Sequence, residues 1–462
     1  MDRLPVELLL QIGKHIEADH RPKKTLFALI RTCRRFHDLF FLILYHTIIL
    51  FPVNLALVRL IMRLWQHPEL ALLVRRVQLA RDELSDTEPL EITEITEPQN
   101  MTEPQNMTEP LDIPMPTDVA AFFHEALDTI MTPDEKQTSN GQWLRGVTGI
   151  SAETWTWLLL ICARNIETVQ LDYKMAWAFS WIIARAVSNL VPIDQRPAFR
   201  RLKNIELVSS WESPWMKSGF LDFVFHLPAV ETIIGNGIYE QSIPDNPPLP
   251  NVPSNVRVIH IGHVAWCGGL LDWLVKCKKL EHLYLGFDVA PNSRGRGYEV
   301  SAFEAASLRH HLLPSAATLK SIGVFFSAEY REFVLDANLI DNENSVMNLP
   351  FGSLKQFPVL ETVTMRHCHL LGRMYPVFGS NQKRFAEIFP ESLEALFITD
   401  LWIGCENGLF RALLVFVRSG VCPNLRTLKV GLDTKRKGGT EAAVDSLALE
   451  CQSQGIEFDV WA

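Results

Sequence analysis

At 462 residues the chain could hold about three ordinary domains, and 47% hydrophobic residues with twelve Trp are enough to fill a large core. The formal charge of −9 is more than accounted for by residues 82–118, which carry eleven Asp or Glu and no Lys or Arg. The remainder is nearly neutral, which removes the electrostatic case for wholesale nucleic-acid binding.

The chain opens on Leu4-Pro5-Val6-Glu7-Leu8-Leu9-Leu10-Gln11-Ile12. Pro5 suits a first helical turn, where its missing N–H has no partner to lose, and Glu7 complements the helix dipole there. Leu8, Ile12 and Ile16 follow at i, i+4, i+8. After a polar stretch from Glu17 to Lys24, Leu26, Leu29, Ile30 and Cys33 give the helical spacing again, as do Phe36, Leu39, Phe40 and Ile43. Three short amphipathic helices in about fifty residues barely bury a core unaided. Leu26 and Ile30 are expected to face inward, and Gly13 is an unusual choice inside a helix.

Leu4-Pro5, Glu7, Leu8 and Ile12, with Leu26, Leu29, Thr32-Cys33-Arg34, Phe36, Leu39 and Leu44-Tyr45, resemble the F-box over residues 4 to 46. The segment between the first two helices is longer than usual for that family. The resemblance implies a module, residues 1–50, that docks on the Skp-type adaptor of a cullin–RING ubiquitin ligase. Carried over, Leu4, Pro5, Leu8, Ile12, Leu29, Cys33 and Phe36 would be the adaptor contacts, a few apolar anchors dominating the interface. The competing account makes these residues only the internal core of a small helical cap.

Residues 51–81 read as a connecting helix and a first strand. The acidic segment 82–118 repeats Thr-Glu-Pro-Gln-Asn-Met from Thr96 and again from Thr102, and it contains no aromatic residue. Such a composition cannot bury enough surface to offset chain entropy. It is expected to be a disordered insertion after the first strand, tolerated because long loops add little closure entropy. From Leu39 to Val58 there is no Asp, Glu, Lys or Arg, but His46, Thr47, Pro52 and Asn54 interrupt the run. No membrane span is expected there.

A six-residue phrase of the form apolar, charged, any, apolar, any, apolar recurs ten times. It starts at Val74, Ile166, Leu202, Val230, Val256, Leu280, Leu319, Leu360, Leu393 and Leu425, the Val230 copy ending on Gly235. The second position is Arg75, Glu167, Lys203, Glu231, Arg257, Glu281, Lys320, Glu361, Glu394 and Arg426 in turn. Apolar fourth and sixth positions around a free fifth have the period of a strand with one buried face. Helix-like stretches precede several copies, such as Gly269–Lys276 and Leu409–Val417. Pro228, Pro253, Pro358, Pro390 and Pro423 sit just before phrases, where they stop a helix. Each unit reads helix, stop, strand, loop, and stacking such units makes one continuous core.

With steps of 24 and 26 residues at their shortest, these units resemble an irregular leucine-rich-repeat family. The implied fold is an α/β solenoid over residues 119–462, with parallel strands on the concave face and helices outside. Most copies lack the polar ladder residue of that family; Cys368 fits it. The fifth positions would point outward, and Ile234, Tyr284 and Phe397 there are unusual without a partner. Trp211, Trp266 and Trp402 follow strands on what would be one rim, where binding residues concentrate. Those Trp could equally fill the gaps left by long repeats.

No nucleophile elbow, Walker loop or dinucleotide-binding glycine pattern is present. Arg366-His367-Cys368-His369 is the densest ligand-type cluster. Read as a strand continuation, it would send alternate residues to opposite faces and prevent them meeting at one ion. Neither a metal site nor a catalytic site is expected, and no cofactor is implied. Arg294-Gly-Arg-Gly-Tyr298 and Lys435-Arg436-Lys437 read as solvated basic loops, and His310-His311 as part of a helix. Eight scattered Cys without a Cys-x-x-Cys pair, and no signal peptide, point to reduced thiols in a cytoplasmic or nuclear protein. Taken together, the two resemblances imply a non-catalytic substrate receptor of an SCF-type ligase, partnered by the adaptor and through it cullin and RING subunits, and by a target protein the sequence does not name. The alternative is an F-box interaction scaffold acting outside a ligase.

Overall fold

The structure is a computed structural model describing residues 4–17, 22–50, 55–78, 116–132, 152–187, 199–208, 216–217, 224–239, 253–264, 268–288, 303–328, 330, 350–371, 384–399, 406–432 and 441–461. Almost all of the acidic segment, the basic loops 294–298 and 435–437, and Trp211, Trp266 and Trp402 lie outside these residues. Two compact units divide at Lys203 and Asn204.

The first unit runs through α1 (Val6–Glu17), α2 (Pro22–Ile30), α3 (Arg34–His46), β1 (Thr47–Ile49), α4 (Leu55–Gln66), α5 (Pro68–Ala71), β2 (Arg76–Gln78), α6 (Thr117–Ile130), α7 (Ala152–Cys162), β3 (Thr168–Asp172) and α8 (Tyr173–Val187). The three strands pair in parallel and in chain order, with Ile48 opposite Val77 and Val77 opposite Val169. These three side chains are buried. Helix α4 packs on α6 and α7, with Trp65 edge-on to Phe122 at 6.2 Å. Arg185 is buried: its guanidinium lies 4.4 Å from the Trp181 ring and donates to the Ile130 carbonyl at 3.3 Å.

The second unit contains β4 (Asn204–Val208), β5 (Met216–Lys217), β6 (Thr232–Gly235), β7 (Ile238–Tyr239), β8 (Val258–Val264), α9 (Gly268–Lys276), β9 (His282–Phe287), α10 (Ala305–Leu312), β10 (Ser321–Phe326), β11 (Thr362–Arg366), α11 (His367–Leu371), α12 (Arg384–Ile388), β12 (Ala395–Thr399), α13 (Glu406–Ser419), β13 (Thr427–Gly431), α14 (Glu441–Ser453) and β14 (Glu457–Trp461). Strands β4, β6 and β8 to β14 pair in parallel in chain order, while β5 and β7 form a short side pair. The fold is α/β and repeat-like.

All ten phrases become strands, and their first and fourth residues are buried throughout. The charged second position falls where one strand enters beside the last. Lys320 N–H donates to the Glu281 carbonyl at 2.8 Å, Glu361 to Lys320 at 2.8 Å, Glu394 to Glu361 at 2.7 Å and Arg426 to Glu394 at 2.8 Å. Neighbouring strands are about 4.8 Å apart, so these side chains stand side by side. Their signs mostly alternate. Glu281 pairs with Arg257 on one side and with Lys320 Nζ at 3.3 Å on the other. In the first unit Arg75 Nη1 lies 3.4 Å from Glu167 Oε1.

Two long-ladder strands carry no charged second position. β1 follows α3 without a break, with His46 in that place, and the His46 carbonyl accepts from Arg75 N–H at 2.9 Å. β14 has Ile456 there, and Glu457 N–H donates to the Arg426 carbonyl at 2.8 Å. The Arg366–His369 cluster also differs from expectation: His367–Leu371 is helical, so strand alternation is not what separates its side chains. Cys368 and His369 point into the core. Among the described residues no helix is long and apolar enough to cross a membrane.

Candidate docking surfaces

Helices α1 to α3 close a core of Leu9, Leu26, Phe36, Phe40 and Ile43, flanked by Leu4, Leu29 and Ile30 among others. A Cβ on Gly13 would lie 2.6 Å from Ile43 Cδ1 and 3.0 Å from Phe40 Cε1. The glycine therefore lets α1 lie directly on α3, at the cost of helix propensity. Arg35 Nη2 donates to the Leu4 carbonyl at 2.7 Å and fixes the entering chain on α3.

With that core closed, the i, i+4 pair of Leu8 and Ile12 faces solvent, at 45% and 39% exposure. The stripe that packs inward is Leu9, Gly13 and Ile16. Pro5 and Cys33 are exposed, and Leu4 and Leu29 half-buried. Phe36, at 5% exposure, is a core residue edge-on to Phe40 at 5.4 Å, so it supports the surface from behind and does not form part of it. Val6, Leu10, Phe27 and Leu42 are also exposed. Val6 and Leu10 form a second i, i+4 stripe that was readable in the sequence but not singled out there.

Beside this surface, still in the first unit, a cleft of about 360 Å³ is walled by Phe27, Leu44, Tyr45, Ile48 and Leu60 together with Lys24. Arg31 stands over the Phe27 ring at 5.8 Å. Lys24, Arg31 and Arg34 are exposed, and among the described residues no carboxylate pairs with them.

In the second unit the fifth positions form one cross-strand row: Ile234, His260, Tyr284, Gly323, Thr364, Phe397 and Lys429 are register neighbours in that order. The Tyr284 ring approaches His260 at 5.5 Å. It also covers Gly323, where a Cβ would come within 2.5 Å of Tyr284 Cδ1 and 2.9 Å of Phe325 Cε2. Ile234 and Phe325 are 42% and 41% exposed, whereas Tyr284 and Phe397 are half-buried. Phe325 falls one place beyond the six-residue phrase, which is why the repeat did not flag it. Opposite it, Gly286 has no room for a side chain, because a Cβ would overlap the Gly262 carbonyl.

At the ends of β8 to β10, Asp288 meets two side chains: His263 Nδ1 lies 2.7 Å from Oδ2, and Ser327 Oγ donates to Oδ1 at 2.6 Å. The hydroxyl is bonded to the carboxylate and not to the imidazole, so this trio lacks the nucleophile–base contact of a hydrolase. Burial pushes the thiols of Cys162 and Cys277 up to about 12, away from thiolate reactivity. Among the described residues no group of three or more His, Cys, Asp or Glu could hold a metal ion.

Comparison with known protein families, with characterised proteins and with solved structures found no match for this chain.

Proposed function

We propose that the chain is the substrate receptor of an SCF-type (Skp/cullin/F-box) ubiquitin ligase. In this reading α1 to α3 are an F-box that docks a Skp-type adaptor, and the repeats form a leucine-rich-repeat-like solenoid whose outward row of β6 to β12 captures a target protein. One observation carries it: a helical module with a closed core of its own still leaves Val6, Leu8, Leu10 and Ile12 in water on a single helix. These side chains are 37–45% exposed, so covering them would add up to about 1 kcal/mol each, which favours a docking surface over a free-standing cap. Of the residues that carry the F-box resemblance, Leu8 and Ile12 belong to this surface and Pro5 and Cys33 are exposed, whereas Leu26 and Phe36 are core residues that support it. The contribution to ubiquitin transfer is proximity, holding a target near the ubiquitin-loaded enzyme and not making or breaking bonds itself.

The test uses purified Skp-type adaptor and the full chain. Wild type binds, and Leu8→Asp/Ile12→Asp weakens binding by about 100-fold or more while the melting temperature holds, since neither side chain is in the core. Failure of the wild type to bind, or equal binding by the double variant, removes the assignment. Binding without ubiquitin transfer in the reconstituted ligase keeps the docking and removes the receptor role.

A further inference from the structure

The basic, apolar cleft beside α2 is not needed by the argument from α1, and its chemistry points to a different occupant. Its walls are aliphatic and aromatic, and the cations Lys24 and Arg31 at Phe27 have no carboxylate partner among the described residues. A matching ligand alternates carboxylates with large aliphatic side chains. The chain itself supplies that pattern between β2 and α6: residues 84–95 place Asp86, Glu88, Glu91 and Glu94 among Leu84, Leu90, Ile92 and Ile95, with no Lys or Arg.

We propose that this cleft is the docking site of the chain's own acidic stretch 84–95. Both tethers start close to it. Gln78, the last residue of β2, is the register partner of Ile49, next to the cleft residue Ile48, and adjacent strands are about 4.8 Å apart. Helix α6, where the segment returns, packs on α4, which contributes Leu60. Leu90 lies twelve positions beyond Gln78, and an extended chain covers up to about 3.5 Å per residue, so reach is not limiting. Tethering raises the effective concentration to the millimolar range, which makes modest complementarity sufficient. An external acidic segment of the same pattern would compete for the cleft. The inference does not rest on the ligase reading.

Zero-length carbodiimide coupling of the full chain at low ionic strength, read by mass spectrometry, tests it. The expected products join the Lys24 amine to Asp86, Glu88, Glu91 or Glu94 within one chain, as shown by mixing isotope-labelled and unlabelled protein. A Leu90→Ser/Ile92→Ser/Ile95→Ser variant, which keeps every carboxylate, lowers their yield about tenfold at unchanged melting temperature. Absence of these products, products formed only between two copies, or a yield indifferent to the triple substitution would each overturn the proposal. None of these readouts involves the adaptor, so failure here leaves the docking test unaffected.

Discussion

His369 shows most plainly how a single residue registers its surroundings. Its ring is 4% exposed and packs against Phe303 at 4.9 Å and Phe326 at 5.2 Å. Nδ1 has no hydrogen-bond partner among the described residues. Burial, reinforced by the Arg366 charge, lowers its pKa to about 3, against about 6.5 in an unfolded chain. The folded protein therefore holds this imidazole neutral. Above pH 6.5 both states are neutral there and the residue adds no pH dependence. Below it the unfolded chain takes up a proton that the fold refuses, at about 1.4 kcal/mol per pH unit. Between pH 7 and pH 5 the wild type should lose about 2 kcal/mol more stability than His369→Phe. Urea unfolding at the two pH values measures it, and equal losses would mean that the ring is not held neutral. Nothing in the sequence announced this: Arg366-His367-Cys368-His369 reads as a strand continuation with side chains on alternate faces and His369 at the surface, whereas the helix from His367 turns His369 inward. The same limit explains Phe36. Helical spacing marked it as belonging to an apolar face, but spacing alone does not say whether that face meets the module's own core or a partner.

At the scale of elements the sequence was far more explicit. A strand with one buried face writes a period of two, and the parallel ladder repeats it in register, so ten strands were legible before any coordinates. Those that escaped lacked the charged marker: β1, where His46 stands in, β14, where Ile456 does, and the two-residue strands β5 and β7. The marker has a physical origin. Side chains at strand entry stand beside those of the neighbouring strands, and opposite signs attract where like signs repel. Glu281 makes the clearest case. Burial raises its carboxyl pKa, but hydrogen bonds from Arg257 and Lys320 outweigh that and hold the pKa below the ordinary value. Glu281→Lys would set three cations in a row across β8, β9 and β10. The expected cost is about 1–2 kcal/mol at low salt, shrinking as ionic strength rises, while Glu281→Gln costs less and shows a weaker salt dependence. Chemical denaturation at two salt concentrations distinguishes them. A loss that salt does not alter would mean that the row is maintained by packing and not by charge.

For the whole molecule, the proposed function requires two surfaces with separable effects. Leu8 and Ile12 belong to the first compact unit, and Ile234 and Phe325 to the second. All four are exposed, so replacing them removes little internal packing. Ile234 and Phe325 also sit on strands whose inward neighbours, Ile233 and Val324, remain fully buried. An Ile234→Asp/Phe325→Asp variant should therefore stay within about 1 kcal/mol of wild-type stability. Tyr284→Ala is a poorer probe, because that ring covers Gly323 and its loss would disturb the sheet surface itself. In a reconstituted ligase, the aspartate pair on the sheet should leave adaptor affinity unchanged and abolish ubiquitin transfer to the target. The Leu8→Asp/Ile12→Asp pair should abolish adaptor binding while the chain still captures that target when added in isolation. The crossed result is decisive because a general folding defect would lower both readouts together. If the sheet variant ubiquitinates its target as well as wild type does, the row from Ile234 to Phe397 is not the capture surface, and a different part of the second unit must carry it.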